Sequence, residues 1–132
     1  MDPAVRAVID AWPPTVRPAL LALREAILAT AAETDGVGPL DESLKWGEPA
    51  YRPVRPRTGT TVRINALKGL PNCYAAYFHC QSGLIGRFRM LYPNDFTFEG
   101  ERALIFDVGK APPVEPLRHC IALALTHHLR GR

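Results

Sequence analysis

The densest group of basic side chains lies in the segment Arg52-Pro53-Val54-Arg55-Pro56-Arg57. Arginine presents a planar fork of N–H donors that matches the oxygens of a carboxylate or a phosphate. Just before this segment stand two large amphipathic rings, Trp46 and Tyr51, and rings of this kind commonly wall small-molecule sites. Two interpretations are open for the basic run: an anion site extended by Arg63 and Lys68, or a stiff, solvated connector.

The residues between the two rings also constrain the backbone. Pro49 lacks an N–H donor and restricts Glu48 to extended geometry, so we expect a strand to end or bulge here. Gly47 permits close approach of a neighbouring chain. Trp46 then has two possible roles: it plugs the core beside a bent edge strand, or it lines a ligand cleft.

The run from Cys73 to Cys80 predicts a central strand, because both of its faces are largely apolar. Tyr77 and His79 share one face of that strand, and we include both in the predicted pocket wall. No serine or cysteine nucleophile is tied to His79 by the sequence, so we predict no catalytic residue. Cys73 and His79 would lie about 20 Å apart along a strand, which is too far for one metal ion.

Other chemistry has little support in the sequence. The phosphate-loop, dinucleotide, nucleophile-elbow and zinc-protease motifs are absent, so we expect no cofactor and lean away from an enzyme. The one tight acidic group, Asp41, Glu42 and Glu48, is interpreted as a solvated turn. His127 and His128 point about 100° apart on a helix and do not form a chelating pair. We therefore predict no metal site.

Length and charge set the broad class. The chain has 132 residues, which suits one domain over residues 1–132. Its net charge of +3 is uneven: the first 50 residues carry four bases and eight acids (−4), and the rest carry twelve bases and five acids (+7). The basic part favours an anionic partner. Nucleic acid is not expected, because no recognition helix, RNA-binding motif or basic stripe is present.

The cellular setting is predicted from cysteine usage and hydropathy. Three cysteines without zinc spacing favour a reduced, cytoplasmic compartment, and we expect Cys80 and Cys120 to be small buried hydrophobes. The first residues lack the basic and apolar regions of a secretion signal. No apolar run approaches the ~18 residues that a membrane span needs, so no membrane partner is expected.

The order of elements predicts an α+β fold with a mostly antiparallel sheet of about five strands, packed against N- and C-terminal helices. Asp2 is the expected cap of the first helix, with Pro3 at its first position. The other predicted elements are a helix from near Pro14 to Glu33, strands over 60–66 and 73–80, a short helix from Leu84, hairpin arms over 96–99 and 102–106, and a helix from Val114 to about Leu129, with His128 on its inward face.

Five segments occur in a characteristic order: Trp12 to Arg17, Leu20 to Arg24, Glu42 to Tyr51 with its Trp-Gly-x-Pro motif, Tyr74 to Cys80, and Phe98 to Leu104. In this order they resemble the YdhG-like bacterial domains of unknown function. The resemblance implies a compact antiparallel sheet packed with helices, and it implies little about activity. One branch of that family is described as frataxin-like, with a role in iron delivery, whereas acidic side chains here are few and scattered.

The sequence therefore predicts a non-catalytic protein that binds a small anionic molecule. Two alternatives remain open: a frataxin-like metal chaperone, and a homodimeric protein-interaction module. The chain is expected to be a monomer or a homodimer. In the leading hypothesis, aromatic and histidine side chains wall the pocket and arginines attract the anion: Trp46, Tyr51, Tyr77 and His79 for the wall, and Arg52, Arg55 and Arg57 for the charge.

Overall fold

The computed structural model describes residues 1–129 and has an α+β architecture, as the sequence predicts. A short 3-10 turn over Cys80–Ser82 precedes the third helix. The α-helices are α1 (Pro3–Ala11), α2 (Arg17–Glu33), α3 (Leu84–Leu91) and α4 (Val114–Leu125). The strands are β1 (Leu40–Lys45), β2 (Glu48–Pro53), β3 (Val62–Ala66), β4 (Cys73–Phe78), β5 (Thr97–Glu99) and β6 (Ala103–Asp107).

The sheet has six strands in the order β1-β2-β3-β4-β6-β5, and every neighbouring pair is antiparallel. Its side chains alternate between two faces. One face packs with all four helices into a single hydrophobic cluster, to which Val62, Phe78 and Leu104 contribute. The opposite face carries small and polar side chains, such as Ala75 and Arg63. The helix layer therefore lies on one side of the sheet.

The start of α1 follows the predicted capping chemistry. The Asp2 carboxylate accepts hydrogen bonds from the backbone N–H groups of Ala4 (2.8 Å) and Val5 (3.1 Å), with Pro3 at the first helical position. The helix α2 begins three residues later than predicted, at Arg17. Its proline, Pro18, lies within the first turn, where an N–H donor is not needed.

The β1–β2 hairpin is the element that the sequence analysis did not predict. Trp46 and Gly47 occupy the two turn positions with φ of 56° and 75°, between the paired residues Lys45 and Glu48. Positive φ at both positions is the mark of a type I′ turn. The expectation that the strand ends or bulges at Pro49 is wrong, since β2 begins at Glu48 and runs through that proline.

Trp46 lies at the tip of this hairpin with 90% of its surface exposed. The expectation that it plugs the core is therefore wrong. Its backbone is in the left-handed region, which bulky side chains occupy at a cost of about 1–3 kcal/mol. Asparagine, aspartate and glycine are the residues that type I′ turns favour, and this is why a Trp-Gly pair did not indicate a hairpin.

Two further boundaries differ from the prediction. The helix α4 ends at Leu125 rather than Leu129, because the His128 N–H bonds to the Thr58 carbonyl (3.0 Å) outside the helix. The strand β4 ends at Phe78, and the next residues turn into the 3-10 segment. Cys80 is consequently exposed, against expectation, whereas Cys120 is buried as predicted. Burial raises the pKa of the Cys120 thiol to about 12.

None of the helices among residues 1–129 combines the length and the apolar character that crossing a membrane requires.

Asparagine at position 46 should stabilise the fold more than alanine at the same position. We expect Trp46→Asn to unfold with a free energy about 1 kcal/mol higher than Trp46→Ala, because asparagine tolerates the left-handed backbone and alanine does not. Both variants remove the same exposed indole, so the comparison isolates the backbone. Urea denaturation measures the difference, and equal midpoints for the two variants would contradict the assigned turn.

Candidate functional site

The loop between β2 and β3 and the turn that follows α4 enclose a cleft of about 730 Å³. Three arginines line it, Arg52, Arg55 and Arg57, together with His128. The remaining lining residues are Pro53, Val54, Pro56, Gly59, Thr60 and Thr61. Within the described part of the chain, no acidic side chain lines this cleft.

The loop between β2 and β3, residues 54–61, is the basic loop, and its backbone contacts the end of α4. A Cβ atom on Gly59 would lie 2.1 Å from the Leu125 carbonyl oxygen, so only glycine fits at this contact. The Thr60 N–H donates to the Ala124 carbonyl (2.9 Å). On the other side of the glycine, the Thr58 carbonyl accepts from the His128 N–H (3.0 Å). These contacts fix the far wall of the cleft.

The near side of the loop continues the hairpin of β1 and β2. The Val54 N–H donates to the Pro39 carbonyl (2.9 Å), which extends that ladder past its last pair. A Cβ atom on Gly38 would lie 2.9 Å from Arg55 Nε, so the Arg55 side chain lies against this glycine. Arg57 has a φ of 60°, a left-handed conformation that is strained for arginine.

The surroundings of the cleft are electropositive. Burial lowers the pKa of His127, and the neighbouring charges of His128 and Arg87 lower it further. The C-terminal end of α4 carries a partial negative charge, which favours nearby cations and partly offsets the mutual repulsion of the arginines. Asp41 lies opposite Arg52 in the β1–β2 ladder and is the acidic residue that the register brings to its side.

The structure brings together only part of the predicted site. Arg52, Arg55 and Arg57 meet in one cleft, although Arg52 belongs to β2 rather than to the loop. Trp46 lies at the other end of β2, about 20 Å away at ~3.3 Å per residue, and does not line the cleft. The Nδ1 atom of His79 accepts a hydrogen bond from the Gln81 N–H (3.2 Å) and caps the 3-10 turn.

Tyr77 and the two extra basic residues also lie elsewhere. Tyr77 is on the helix-free face of the sheet, where the Arg63 guanidinium lies 5.3 Å from its ring centre. Arg63 forms an ion pair with Glu48. Lys68 follows β3 at the end of the sheet away from the cleft. Of the two interpretations left open for the basic run, an anion site extended by Arg63 and Lys68 does not match these positions.

Tyr51 is fully buried on the helix-covered face, so its predicted place in a pocket wall is wrong. Its hydroxyl donates to the Glu42 carboxylate (2.8 Å). The same carboxylate accepts from Arg24 Nε (2.7 Å) and from the Asp2 backbone N–H (3.0 Å). The Tyr51 ring thus packs in the core, and its hydroxyl joins the partly buried Arg24–Glu42 ion pair.

The protonation states of this cluster follow from its contacts. Burial alone would raise the pKa of Glu42, but the hydrogen bonds from Arg24, Asp2 and Tyr51 outweigh it, and the net pKa is lowered. The pKa of Tyr51 is raised by burial and by its bond to Glu42. The pKa of Arg24 is raised by its bond to the same carboxylate. At neutral pH the cluster is a charged pair with a neutral phenol.

The acidic trio does not form the solvated turn that the sequence analysis expected. Glu42 pairs with Arg24 on the helix side of the sheet, whereas Glu48 pairs with Arg63 on the other side. The side chains of both glutamates are 13% exposed. Among residues 1–129, no group of three His, Cys, Asp or Glu side chains is placed to share a metal ion.

Sequence reasoning missed His128 and Gly59. His128 was expected on the inward face of α4, but it lies beyond the helix end and is exposed. Its position depends on a backbone bond to Thr58, 70 residues earlier in the chain. Gly59 lies between Thr58 and Thr60, directly after the arginine run. A glycine at this place is the one local feature of the sequence that indicates a close backbone contact.

Removing the partly buried Glu42 carboxylate should change how the free energy of unfolding depends on pH. The folded pKa of Glu42 lies below its usual 4.5, so its contribution is present above about pH 4.5 and is lost as the pH falls through the folded value. At neutral pH we expect Glu42→Gln to lose about 2 kcal/mol of unfolding free energy, because it leaves Arg24 without its partly buried partner.

The control for this variant is Glu25→Gln. Glu25 also pairs with Arg24, but its side chain is 70% exposed. We expect this change to lose under ~0.5 kcal/mol, as is usual for surface ion pairs. Urea titrations at neutral and acidic pH measure both variants. A Glu42→Gln deficit that persists unchanged at low pH would contradict the role of the ionised carboxylate.

A methyl group at Gly59 should release the basic loop. We expect Gly59→Ala to lose about 3 kcal/mol of stability, because the methyl group meets main-chain atoms of α4 that cannot yield. The control is Gly86→Ala in α3, where the added atom meets nothing and alanine should gain up to ~1 kcal/mol. Thermal melts followed by circular dichroism measure both, and a neutral Gly59→Ala would refute the contact.

Comparisons of this chain with protein-family models, with curated proteins and with solved structures gave no match. The YdhG-like resemblance therefore stays a prediction, and the geometry of the cleft itself is the ground on which its function is argued.

Proposed function

We propose that this protein binds a small, multiply charged anion of the phosphate or polycarboxylate type in the arginine-lined cleft, without catalysing a reaction on it. The observation that carries the proposal is the convergence of Arg52, Arg55 and Arg57 on one cleft whose described lining contains no acidic side chain. Guanidinium groups that line one cleft match the oxygens of an anion that carries more than one charge.

The pairing of other arginines supports the same conclusion. Arg24, Arg63, Arg89 and Arg118 each form an ion pair with a glutamate. In residues 1–129, Arg52 and Arg55 form no ion pair. Their charges thus remain available to a ligand.

The cleft is also organised before a ligand arrives. Pro53 and Pro56 restrict the backbone on either side of Arg55, and Gly59 anchors the loop to α4. A pre-ordered loop loses less conformational entropy on binding than a mobile one. The threonine residues Thr60 and Thr61 line the same cleft and can donate hydroxyl hydrogen bonds to an anion.

Because the arginines are exposed to solvent, we expect the cleft to bind its anion with modest affinity. A charge-assisted hydrogen bond contributes about 1.5–3 kcal/mol, and exposed groups lie at the low end of that range. Two or three such bonds give about 3–4.5 kcal/mol, which corresponds to a dissociation constant of about 0.5–6 mM at low salt. This range suits a metabolite that is abundant in the cell rather than a tightly held cofactor.

Calorimetric titration with inorganic pyrophosphate tests the proposal. We expect the wild type to bind this probe at low salt, and the double variant Arg55→Gln/Arg57→Gln to bind at least ~10-fold more weakly, because two charge-assisted contacts are lost. The matched control is Lys68→Gln, which removes one positive charge at the opposite end of the sheet. It should leave the affinity within about twofold, as exposed charges beyond a Debye length are screened.

Two results would overturn the proposal. One is an absence of pyrophosphate binding by the folded wild type at low salt. The other is an equal loss of affinity in Lys68→Gln and in the double variant, which would reduce the effect to overall charge. Circular dichroism of each variant establishes that the fold is retained.

A further inference from the structure

A second cavity, of about 430 Å³, lies between α2, α4 and the connection from β6 to α4. Most of its wall is apolar, and it shares no lining residue with the arginine-lined cleft. Alanines of α2, including Ala22 and Ala26, form one side, and Leu117 of α4 forms part of the floor. Small side chains at helical spacing leave room beside the helix that larger residues would fill.

The ion pair of Arg118 with Glu33 joins α4 to α2 beside this cavity. It neutralises both charges at that side of the rim, and Arg118 also bonds to Glu115 (3.5 Å). The cavity therefore keeps its apolar character up to its mouth there. Lys110, in the connection from β6 to α4, lines the cavity as well, and its charge is not neutralised by an ion pair within residues 1–129.

The deep wall of the cavity contains one hydroxyl group without a partner. Tyr74 lines the cavity, is only 2% exposed, and stacks on Phe106 with ring centres 5.2 Å apart. Its hydroxyl makes no hydrogen bond with any residue in the range 1–129. The hydroxyl oxygen is not fully enclosed, since Arg17 Nε is the one fully buried side-chain nitrogen or oxygen without a partner in residues 1–129, so the hydroxyl can donate a hydrogen bond to a molecule in the cavity. Tyr51, on the same face of the sheet, has its hydroxyl satisfied by Glu42.

The state of the Tyr74 hydroxyl is suited to donation. Burial raises its pKa, and the charge of Asp107 raises it further, so the phenol is protonated at neutral pH. Asp107 does not compete as an acceptor. It follows the sheet alternation onto the other face, where its carboxylate accepts from the Gly109 N–H (2.7 Å) and from Cys73 Sγ (3.9 Å).

A cation lies at the same end of the cavity as this hydroxyl. Tyr74 is paired with Phe106 in the sheet, and Lys110 follows four residues later in the connection that lines the cavity. In the described part of the chain, the Lys110 ammonium forms no ion pair. The helix α4 begins beside it, and Pro113 supplies no side-chain cap, so the positive end of the helix dipole adds to the charge of the lysine.

We propose that this cavity binds a small organic acid with an apolar body, such as an aliphatic or aromatic monocarboxylate. The carboxylate accepts a hydrogen bond from the Tyr74 hydroxyl and pairs with Lys110. The apolar body lies along the alanine face of α2 and against Leu117. The volume is within the ~300–1,000 Å³ range of small-ligand sites. This site is separate from the arginine-lined cleft and does not depend on the function proposed for it.

The test uses octanoate and its neutral analogue octanol, titrated calorimetrically into the full chain. We expect both to bind the wild type, with octanoate the tighter ligand. Ala26→Leu should abolish binding of both, because its side chain fills the cavity, while the melting temperature stays equal or rises. The control Ala7→Leu adds the same side chain at an exposed position of α1 and should leave both affinities unchanged.

Two more variants separate the polar contacts. Lys110→Gln should weaken octanoate about 5-fold and leave octanol unchanged, because only the acid is charged. Tyr74→Phe, which keeps the ring stacked on Phe106, should weaken octanoate about 5-fold. A wild type that binds neither probe, or an Ala26→Leu variant that binds as the wild type does, would overturn the proposal. The double variant Arg55→Gln/Arg57→Gln should retain octanoate binding. Loss of binding in the arginine-lined cleft is thereby distinguished from loss of binding in this cavity.

Discussion

The Glu42 carboxylate holds together three parts of the chain that are distant in sequence. It accepts hydrogen bonds from the start of α1, from Arg24 of α2 and from Tyr51 of β2. These bonds fix the register of β2 on its neighbours, and register decides which side chains face the core. A slip of one residue would turn Tyr51 outward and Arg52 inward. The position of the arginine-lined cleft therefore depends on an ion pair that lies outside it.

The fold class could be predicted because periodicity and turn signals are local. The Asp2 cap, the α2 stripe and the β5–β6 hairpin were all recognised from short windows. The β1–β2 hairpin was not, because its turn uses Trp46 where the common sequences have asparagine, aspartate or glycine. The pairing of β1 with β2 holds this turn against a poor local preference, and a single sequence does not reveal that pairing.

The candidate site could be predicted only where its residues are close together in the sequence. Arg55 and Arg57 were found because they are neighbours in sequence, whereas His128 reaches the cleft through a backbone bond across 70 residues. Tyr51 was misplaced for a different reason. It precedes Arg52 directly, and two consecutive strand residues point to opposite faces, so they cannot share one pocket. The alternation rule, once β2 had been recognised, would have separated them.

The backbone of Arg57 is the strongest local argument that the cleft has a role beyond structure. At a φ of 60°, glycine would remove the strain, and asparagine would reduce it. Neither residue would supply a guanidinium group to the cleft. Strain of this kind persists where the surrounding structure holds it in place, and here Gly59 does so through its contact with α4. A charged side chain at a strained position, in a loop fixed by a backbone contact, is what a preorganised anion site requires and what a simple connector does not.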